Sequence, residues 1–426
     1  MSTHLTPKER AMLAGEYGPG VKKAMEIVVA LGKIYGAKEL VPIASAQVAG
    51  VSYKNLGGAG LDFLRELVEG GARARVSAML NPAGMDLTGW RELGIPEDFA
   101  RKQMKVIETF KEMDITPTCS CTPYLIGHAP SLGEHIAWSE SSAVSFANSV
   151  LGARTNREGG PGALAAAITG RTAAYGLHLD ESRRANFIVE VRCPVETAAD
   201  FGALGYIVGR QVKNAVPYFK PRRSELVGTK RRFAPTASPK GAEAPTTNNG
   251  KLKALGAAMA AGGAVALYHV EGVTPEAMGG DIVASNAETI IIESLGEGYA
   301  ALNSSVEKID LASIGCPHAS LGEIEEVARW LIGKRVKAAL WLTTSRRVKE
   351  LAEKQGFVEI IEAAGGKVVA DTCLVVAPVE ALGFRSMATN SAKMAFYAPS
   401  HCGLEVRFGP LEQCLKAAVR GRWPSV

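Results

Sequence analysis

The chain has 426 residues, 47% of them apolar and 21% charged, with a net charge of +5. That is enough polypeptide for two or three packed domains with large cores, and the balance excludes a disordered or fibrous chain. The mild basicity suits an anionic substrate but falls far short of a dedicated nucleic-acid binder, and the longest apolar stretch, Ala254 to Tyr268, is too short to span a bilayer.

Thr6-Pro7-Lys8-Glu9 is a capping box with proline at the first helical position, so a short helix starts there. Val21, Ala24, Met25, Val28, Leu31 and Tyr35 recur at helical spacing and give a second, amphipathic helix. Leu40 to Val48 reads as one buried strand, which empties into Gly50-Val51-Ser52-Tyr53 and then Gly57-Gly58-Ala59-Gly60 before the next helix. Free N–H groups at such a helix start can hold an anion, although the spacing matches neither the Walker nor the dinucleotide pattern. A strand near Arg75 to Leu80 leads to a second polar loop, Asn81-Pro82-Ala83-Gly84. A helix over Glu97 to Met113 then returns to Ile115-Thr116-Pro117-Thr118 and to Cys119-Ser120-Cys121-Thr122-Pro123-Tyr124. Residues 134–161 are dense in polar groups, among them Glu140, Ser141, Asn148, Arg154 and Arg157. They form either a polar pocket or a solvated helix and loop.

Asn186 to Val191 is a further strand. Residues 217–250 then change character, with Pro217, Pro221, Pro235, Pro239 and Pro245 among Arg, Lys, Ser, Thr and Asn, the composition of an interdomain connection. The expected division is an N-terminal α/β region, 1–250, ending in that connector, and a C-terminal α/β region, 251–426. In the second, Ala264–His269, Thr289–Glu293, Lys308–Ile314, Ala338–Leu342 and Lys367–Asp371 read as strands, with helices at Leu321–Ile332 and Arg346–Lys354. Alternation of this kind predicts doubly wound α/β units.

Seven cysteines, an odd number without a dense framework, argue for reduced thiols in a cytoplasmic enzyme. The N-terminus lacks a basic segment followed by an apolar core, so no secretory signal is expected. Cys121, Cys316 and Cys373 each stand at the carboxyl end of an expected strand, where side chains leave a sheet and meet a ligand. Three such thiols can converge on one metal centre. In an extended segment Cys119 and Cys121 share a face, so periodicity does not separate them; Cys121 is preferred because it abuts the Thr122-Pro123 break. Cys414 lies on one helical face with Leu411, Leu415 and Val419 and belongs to a core, while Cys193 and Cys402 remain competitors. Common iron–sulfur signatures contain a CxxC, which this chain lacks. Zinc held by three cysteines with His128, His318 or His401 is the rival metal site.

Several stretches together resemble the aconitase X family: Val48-Ala49-Gly50-Val51-Ser52-Tyr53 with Gly57-Gly58-Ala59-Gly60, Cys121-Thr122-Pro123-Tyr124, Trp138-Ser139-Glu140-Ser141-Ser142-Ala143, and the run from Asn148 to Gly159. Gly272-Val273-Thr274-Pro275-Glu276-Ala277, Gly315-Cys316-Pro317-His318 and Asn390-Ser391-Ala392-Lys393 continue the same order over most of the chain. The resemblance implies an aconitase-like α/β fold around a central iron–sulfur site, most simply a 4Fe–4S cluster held by Cys121, Cys316 and Cys373. It implies a hydro-lyase that dehydrates (R)-5-phosphomevalonate to trans-anhydromevalonate 5-phosphate in an archaeal-type mevalonate route to isoprenoids. Gly50, Val51, Ser52, Asn81, Pro82 and Lys393 are then expected to contact substrate, with Glu140 and Ser141 at the reacting end.

Ordinary aconitases carry a swivelling domain with a catalytic serine, for which no residues are left over here. That domain is expected on a separate small subunit, giving a heterodimer or higher assembly without nucleic acid or membrane. The nearest alternative keeps the chemistry with a small hydroxy-amino acid, such as cis-3-hydroxy-L-proline, as substrate. An iron-sensing RNA-binding protein, drawing on Arg222-Arg223 and Lys230-Arg231-Arg232, and a zinc-stabilised scaffold are the readings of other classes.

Overall fold

A computed structural model of the protein describes residues 3–220, 247–279 and 281–424. The capping box forms: the Thr6 hydroxyl accepts from the Glu9 N–H, the Glu9 carboxylate accepts from the Thr6 N–H, and the helix Pro7–Ala14 follows. The helical spacing after it becomes Pro19–Ile34, which buries Val21, Ala24, Met25 and Val28. Residues 40–48 are two strands rather than one. Leu40–Pro42 pairs antiparallel with Arg171–Ala173, whereas Ser45–Val48 enters a parallel sheet. Pro42 has no N–H to donate, and the N–H groups of Ile43 and Ala44 turn to the carbonyls of Gly170 and His135.

Three parallel sheets carry the architecture. The first runs, in spatial order, Ser77–Leu80, Ser45–Val48, Ala137–Trp138, and the segment leading to Cys121 lies beside it through a bridge from Met79 to Thr116. The second runs His269–Val270, Pro217–Lys220, Ala185–Val191, Val283–Ile292. The third runs Lys367–Ala370, Ala339–Thr344, Leu311–Ile314, Ser386–Thr389, Glu405–Phe408. Its chain order is third, second, first, fourth, fifth, a doubly wound sheet whose direction of winding reverses between Leu311–Ile314 and Ser386–Thr389.

The second sheet draws strands from both sides of residue 250, and Pro217–Lys220, the start of the expected connector, is one of them. The rest of the connector up to residue 246, with the basic runs Arg222-Arg223 and Lys230-Arg231-Arg232, lies outside the described residues. Helices Ala198–Val212 and Thr247–Gly263 pack together so closely that a Cβ on Gly263 would stand 1.8 Å from the Gly209 carbonyl oxygen. One core cluster runs from the second sheet into the third, through Val189, Phe219, Leu311, Trp341 and Met387, and another fills the first region.

The first and third sheets meet carboxyl edge to carboxyl edge. Ala83, beyond Ser77–Leu80, bridges Thr372, beyond Lys367–Ala370, and its N–H donates to the Asp371 carbonyl at 2.8 Å. Ser52 Oγ donates to the Val376 carbonyl at 2.7 Å, and Arg346 pairs with both Asp86 and Asp371 across the junction. Loops from both sheets are thereby held against one another.

Candidate active site

The CxC stretch is not extended, so alternation does not decide it. Cys119 has φ +44°, in the left-handed region, and the chain turns there. Cys119 is fully buried in the core of the first region and takes a hydrogen bond with the Ala83 backbone, whereas Cys121 faces Cys316, Glu140 and Lys393. Gln47 fixes the turn, its amide donating to the Ser120 carbonyl at 2.9 Å.

Cys316 follows Leu311–Ile314 through Gly315, whose φ is +94° and where a Cβ would stand 2.2 Å from the Thr343 carbonyl oxygen. Only glycine fits that turn. Cys373 follows Lys367–Ala370 through Asp371, another left-handed residue, at φ +63°. The Cys316 and Cys373 thiols hydrogen-bond each other, Cys121 acts electrostatically on Cys373, and Cys316 acts electrostatically on Cys121. The bond from Cys373, against the cost of burial and with help from Lys393 and Ser391, draws Cys316 down to about 7. Cys373 is held high by the same bond and by burial. Burial, reinforced by Glu140, pushes Cys121 up to about 12.

Lys393 enters from the other side of the winding reversal, one residue into the helix Ala392–Cys402 that follows Ser386–Thr389. Its ammonium pairs with Glu140 and lies 3.3 Å from the hydroxyls of Ser141 and Ser142. Glu140 caps the helix Ser141–Phe146, accepting from the Ser142 N–H at 3.2 Å and the Ser142 hydroxyl at 2.7 Å. Burial alone would raise the Glu140 carboxyl, but Lys393 and Ser142 outweigh it and hold it down at about 2. Burial likewise works against the Lys393 charge, yet Glu140, Cys316 and Cys121 hold the ammonium above the usual lysine range. The polar stretch 134–161 is a buried lining rather than a solvated face: Ser139, Ser141, Ser142, Asn148, Thr155 and Glu158 are all buried.

The other expected residues line the neighbouring strand ends. Gly50 is exposed with φ +81°, and the Val51 carbonyl accepts from Gln103 at 2.9 Å. Asn81 donates its N–H to the Val48 carbonyl, but its buried Oδ1 has no partner; Pro82 beside it is buried. The helix start that the sequence offers as an anion site is already engaged. Ser52 caps it, the Lys54 N–H donates to Ser52 and the Tyr53 N–H to Gln103, while the glycine run lies inside the helix Tyr53–Glu69, broken at Gly57. Arg154 pairs with Asp180 and the His178 carbonyl, and Arg157 is exposed; neither joins the thiols.

Tyr124 was not singled out from the sequence. Its ring stacks on Phe146 with centroids 4.0 Å apart, and its buried hydroxyl has no partner although Cys121 and Glu140 lie within electrostatic reach. Its position in Cys121-Thr122-Pro123-Tyr124, one residue past the break, was the available signal.

Among the described residues no group of three His, Cys, Asp or Glu side chains forms a cage for a single metal ion. Of the three histidines considered for zinc, His318 is already engaged: both its ring nitrogens face protein oxygens, the Thr372 carbonyl and the Ser120 hydroxyl. What converges is a set of soft sulfur donors beside a lysine ammonium. That chemistry suits iron–sulfur ligation, in which each thiolate binds its own iron. Cys402, against the Leu374 carbonyl, and Cys414, against the Gly409 carbonyl, lie in cores, as does Cys193.

Family models for the first, second and third domains of aconitase X match residues 2–181, 185–295 and 309–420. The chain is 49% identical over 420 residues to the phosphomevalonate dehydratase large subunit of Methanocaldococcus jannaschii, covering 97% of this chain and 99% of that one. The chain belongs to the aconitase X family. It is also 36% identical over 428 residues to cis-3-hydroxy-L-proline dehydratase of Pseudomonas aeruginosa, covering 98% of this chain and 70% of that one. The crystal structure of Thermococcus kodakaraensis aconitase X in its holo-form superimposes with a TM-score of 0.86 at 49% identity, covering 98% of this chain and 100% of that one. In aconitase X terms, Cys121, Glu140 and Ser141 come from the first domain and Cys316, Cys373 and Lys393 from the third.

Proposed function

We propose that this chain is the large subunit of an iron–sulfur hydro-lyase that converts (R)-5-phosphomevalonate to trans-anhydromevalonate 5-phosphate and water. The observation that carries the reading is the meeting of Cys121, Cys316 and Cys373 beside the Lys393–Glu140 pair, at the joined carboxyl edges of two sheets. The choice of substrate is supported by 49% identity to the large subunit from M. jannaschii, against 36% to the hydroxyproline enzyme from P. aeruginosa. The same relative's designation as a large subunit supports a small-subunit partner, to which we assign the swivelling domain and the base serine. The reduced cysteines fit a cytoplasmic setting.

Cys121, Cys316 and Cys373 would hold the cluster, taken here as 4Fe–4S, and that group supplies a Lewis-acidic iron for the departing hydroxyl. This chain's own residues then bind and orient. Lys393, kept protonated, takes an anionic oxygen of the substrate, its carboxylate or its phosphate. Glu140 fixes the direction of the ammonium, and Ser141 offers a hydroxyl beside it, while the unpartnered Oδ1 of Asn81 is assigned as a further acceptor for the substrate. We assign the remaining substrate contacts to backbone at Gly50, Val51 and Ser52 and to Pro82. The proton alpha to the carboxylate goes to the partner's base, the C–O bond breaks, and the products are an alkene and water.

The test is anaerobic reconstitution with iron and sulfide, followed by assay with and without a candidate small subunit, using 5-phosphomevalonate and cis-3-hydroxy-L-proline separately. Dehydration of the first compound only, and only by the complex, is expected. Turnover of hydroxyproline instead reassigns the substrate, and full turnover by this chain alone removes the split site.

A further inference from the structure

We propose that His318 is a positioning residue that holds all three cysteine loops at one spacing. The proposal rests on the cluster reading above and deepens it. His318 lies on the Cys316 loop and is 1% exposed. Its backbone N–H donates to Cys121 Sγ at 3.2 Å. Its Nε2 lies 2.8 Å from the carbonyl of Thr372, the residue before Cys373, and its Nδ1 lies 3.4 Å from the hydroxyl of Ser120, the residue before Cys121. Its carbonyl accepts from Lys253 Nζ at 3.1 Å, and Lys253 is itself paired with Glu323 at 2.6 Å.

A carbonyl only accepts, so the proton sits on Nε2 and donates to Thr372, leaving Nδ1 to accept from Ser120. Every polar group of His318 is therefore committed, and the two ends of the ring reach the residues adjoining the other two thiols. A side chain placed this way fixes the distance between ligand loops, as groups just outside a metal's ligands do. The N–H bond to Cys121 Sγ adds a second effect, because hydrogen bonds to ligand sulfurs set a cluster's reduction potential.

The experiment compares the wild-type chain with His318→Ala, His318→Gln and Ser120→Ala, each checked by circular dichroism. Two readouts are taken: iron content and visible spectrum after anaerobic reconstitution at limiting iron, and the alkylation rate of Cys121 by iodoacetamide in the cluster-free chain. His318→Ala is expected to hold iron about tenfold more weakly, with an altered spectrum and faster alkylation of Cys121. His318→Gln, whose amide can donate to the Thr372 carbonyl, should recover most of both, and Ser120→Ala should lose less than His318→Ala. Wild-type iron content, spectrum and alkylation rate in His318→Ala would overturn the proposal, as would Gln performing no better than Ala. Should His318→Ala not fold, Ser120→Ala decides, and wild-type behaviour in both its readouts overturns the proposal. If the wild-type chain takes up no iron, the cluster reading fails by itself, and the alkylation rates still judge His318.

Discussion

Two strands in this molecule end in a cysteine followed by proline, and only one of those cysteines faces the candidate site. Leu311–Ile314 runs into Gly315-Cys316-Pro317, and Ala185–Val191 runs into Arg192-Cys193-Pro194. Both strands lie inside parallel sheets. At Cys316 the glycine turn brings the thiol to Cys373, Lys393 and Ser391. At Cys193 the side chain packs into the core with Val191 and Val195, while Arg192 pairs on the surface with Glu190 and Glu293. The strand is common to both; what differs is which loops the rest of the fold brings to its end. The third sheet's carboxyl edge meets the first sheet's and gains Cys121 and Glu140, so the site is a property of the junction.

The sharpest way to break this contrast is to remove each cysteine in turn. Cys316→Ala should abolish the iron–sulfur absorbance and the activity of the reconstituted complex, while Cys193→Ala should keep both. Equal absorbance in the two variants would end the distinction. Next in size is the charge that sets the Cys316 end apart. Lys393→Met should lower kcat about 10²–10³-fold by removing a fixed positive group. It should also destabilise the chain by about 3–5 kcal/mol, because Glu140 is left buried without its cation. Urea unfolding beside the assay separates these effects, and an unchanged midpoint would show that Glu140 finds another partner.

The junction itself can be loosened without touching the thiols. Arg346 joins Asp86 from the first region to Asp371, the residue two before Cys373. Both carboxylates are buried, so Arg346→Ala should cost about 3 kcal/mol and lower iron retention more than Cys193→Ala does. A loss of stability with full iron retention would mean that the two sheets stay registered through Ala83 and Ser52 alone.

The sequence was most legible where a local rule decides. The capping box at Thr6, the amphipathic spacing after Val21 and the strands ahead of Cys316 and Cys373 all form. It misled where the backbone leaves its period. Alternation put Cys119 and Cys121 on one face, but the left-handed turn at Cys119 sends one thiol into a core and the other to the site. Residues 40–48 read as one strand because all the hydrophobic positions suit a sheet, and proline at 42 divides them between two. Lys393, on local pattern alone, is a solvated lysine; its pairing with Glu140, 253 residues away in sequence, makes it a buried cation. Arg346 carries no local signal, and the sequence offers His318 only as a metal ligand, since the roles of both consist of contacts with loops distant in the chain.

Glu140 and Glu158 give the mildest test of the same idea, that partners rather than local setting decide a side chain's state. They lie in one polar stretch, and both are largely buried. Glu140 has Lys393 and is held ionised; among the described residues no cation pairs with Glu158, and the Thr172 hydroxyl donates to it at 3.2 Å. Burial raises Glu158 to about 7. A carboxyl raised by folding binds its proton more tightly in the native state, so its favourable contribution is complete below the unfolded value near 4.5. That contribution is lost as pH rises through 7. Glu158→Gln should therefore leave stability unchanged near pH 4.5 and raise it by about 1–3 kcal/mol at pH 8, read from urea midpoints at the two pH values. A variant less stable than the parent at pH 8 would mean that the ionised carboxylate has a partner of its own, and that burial alone does not set Glu158 apart from Glu140.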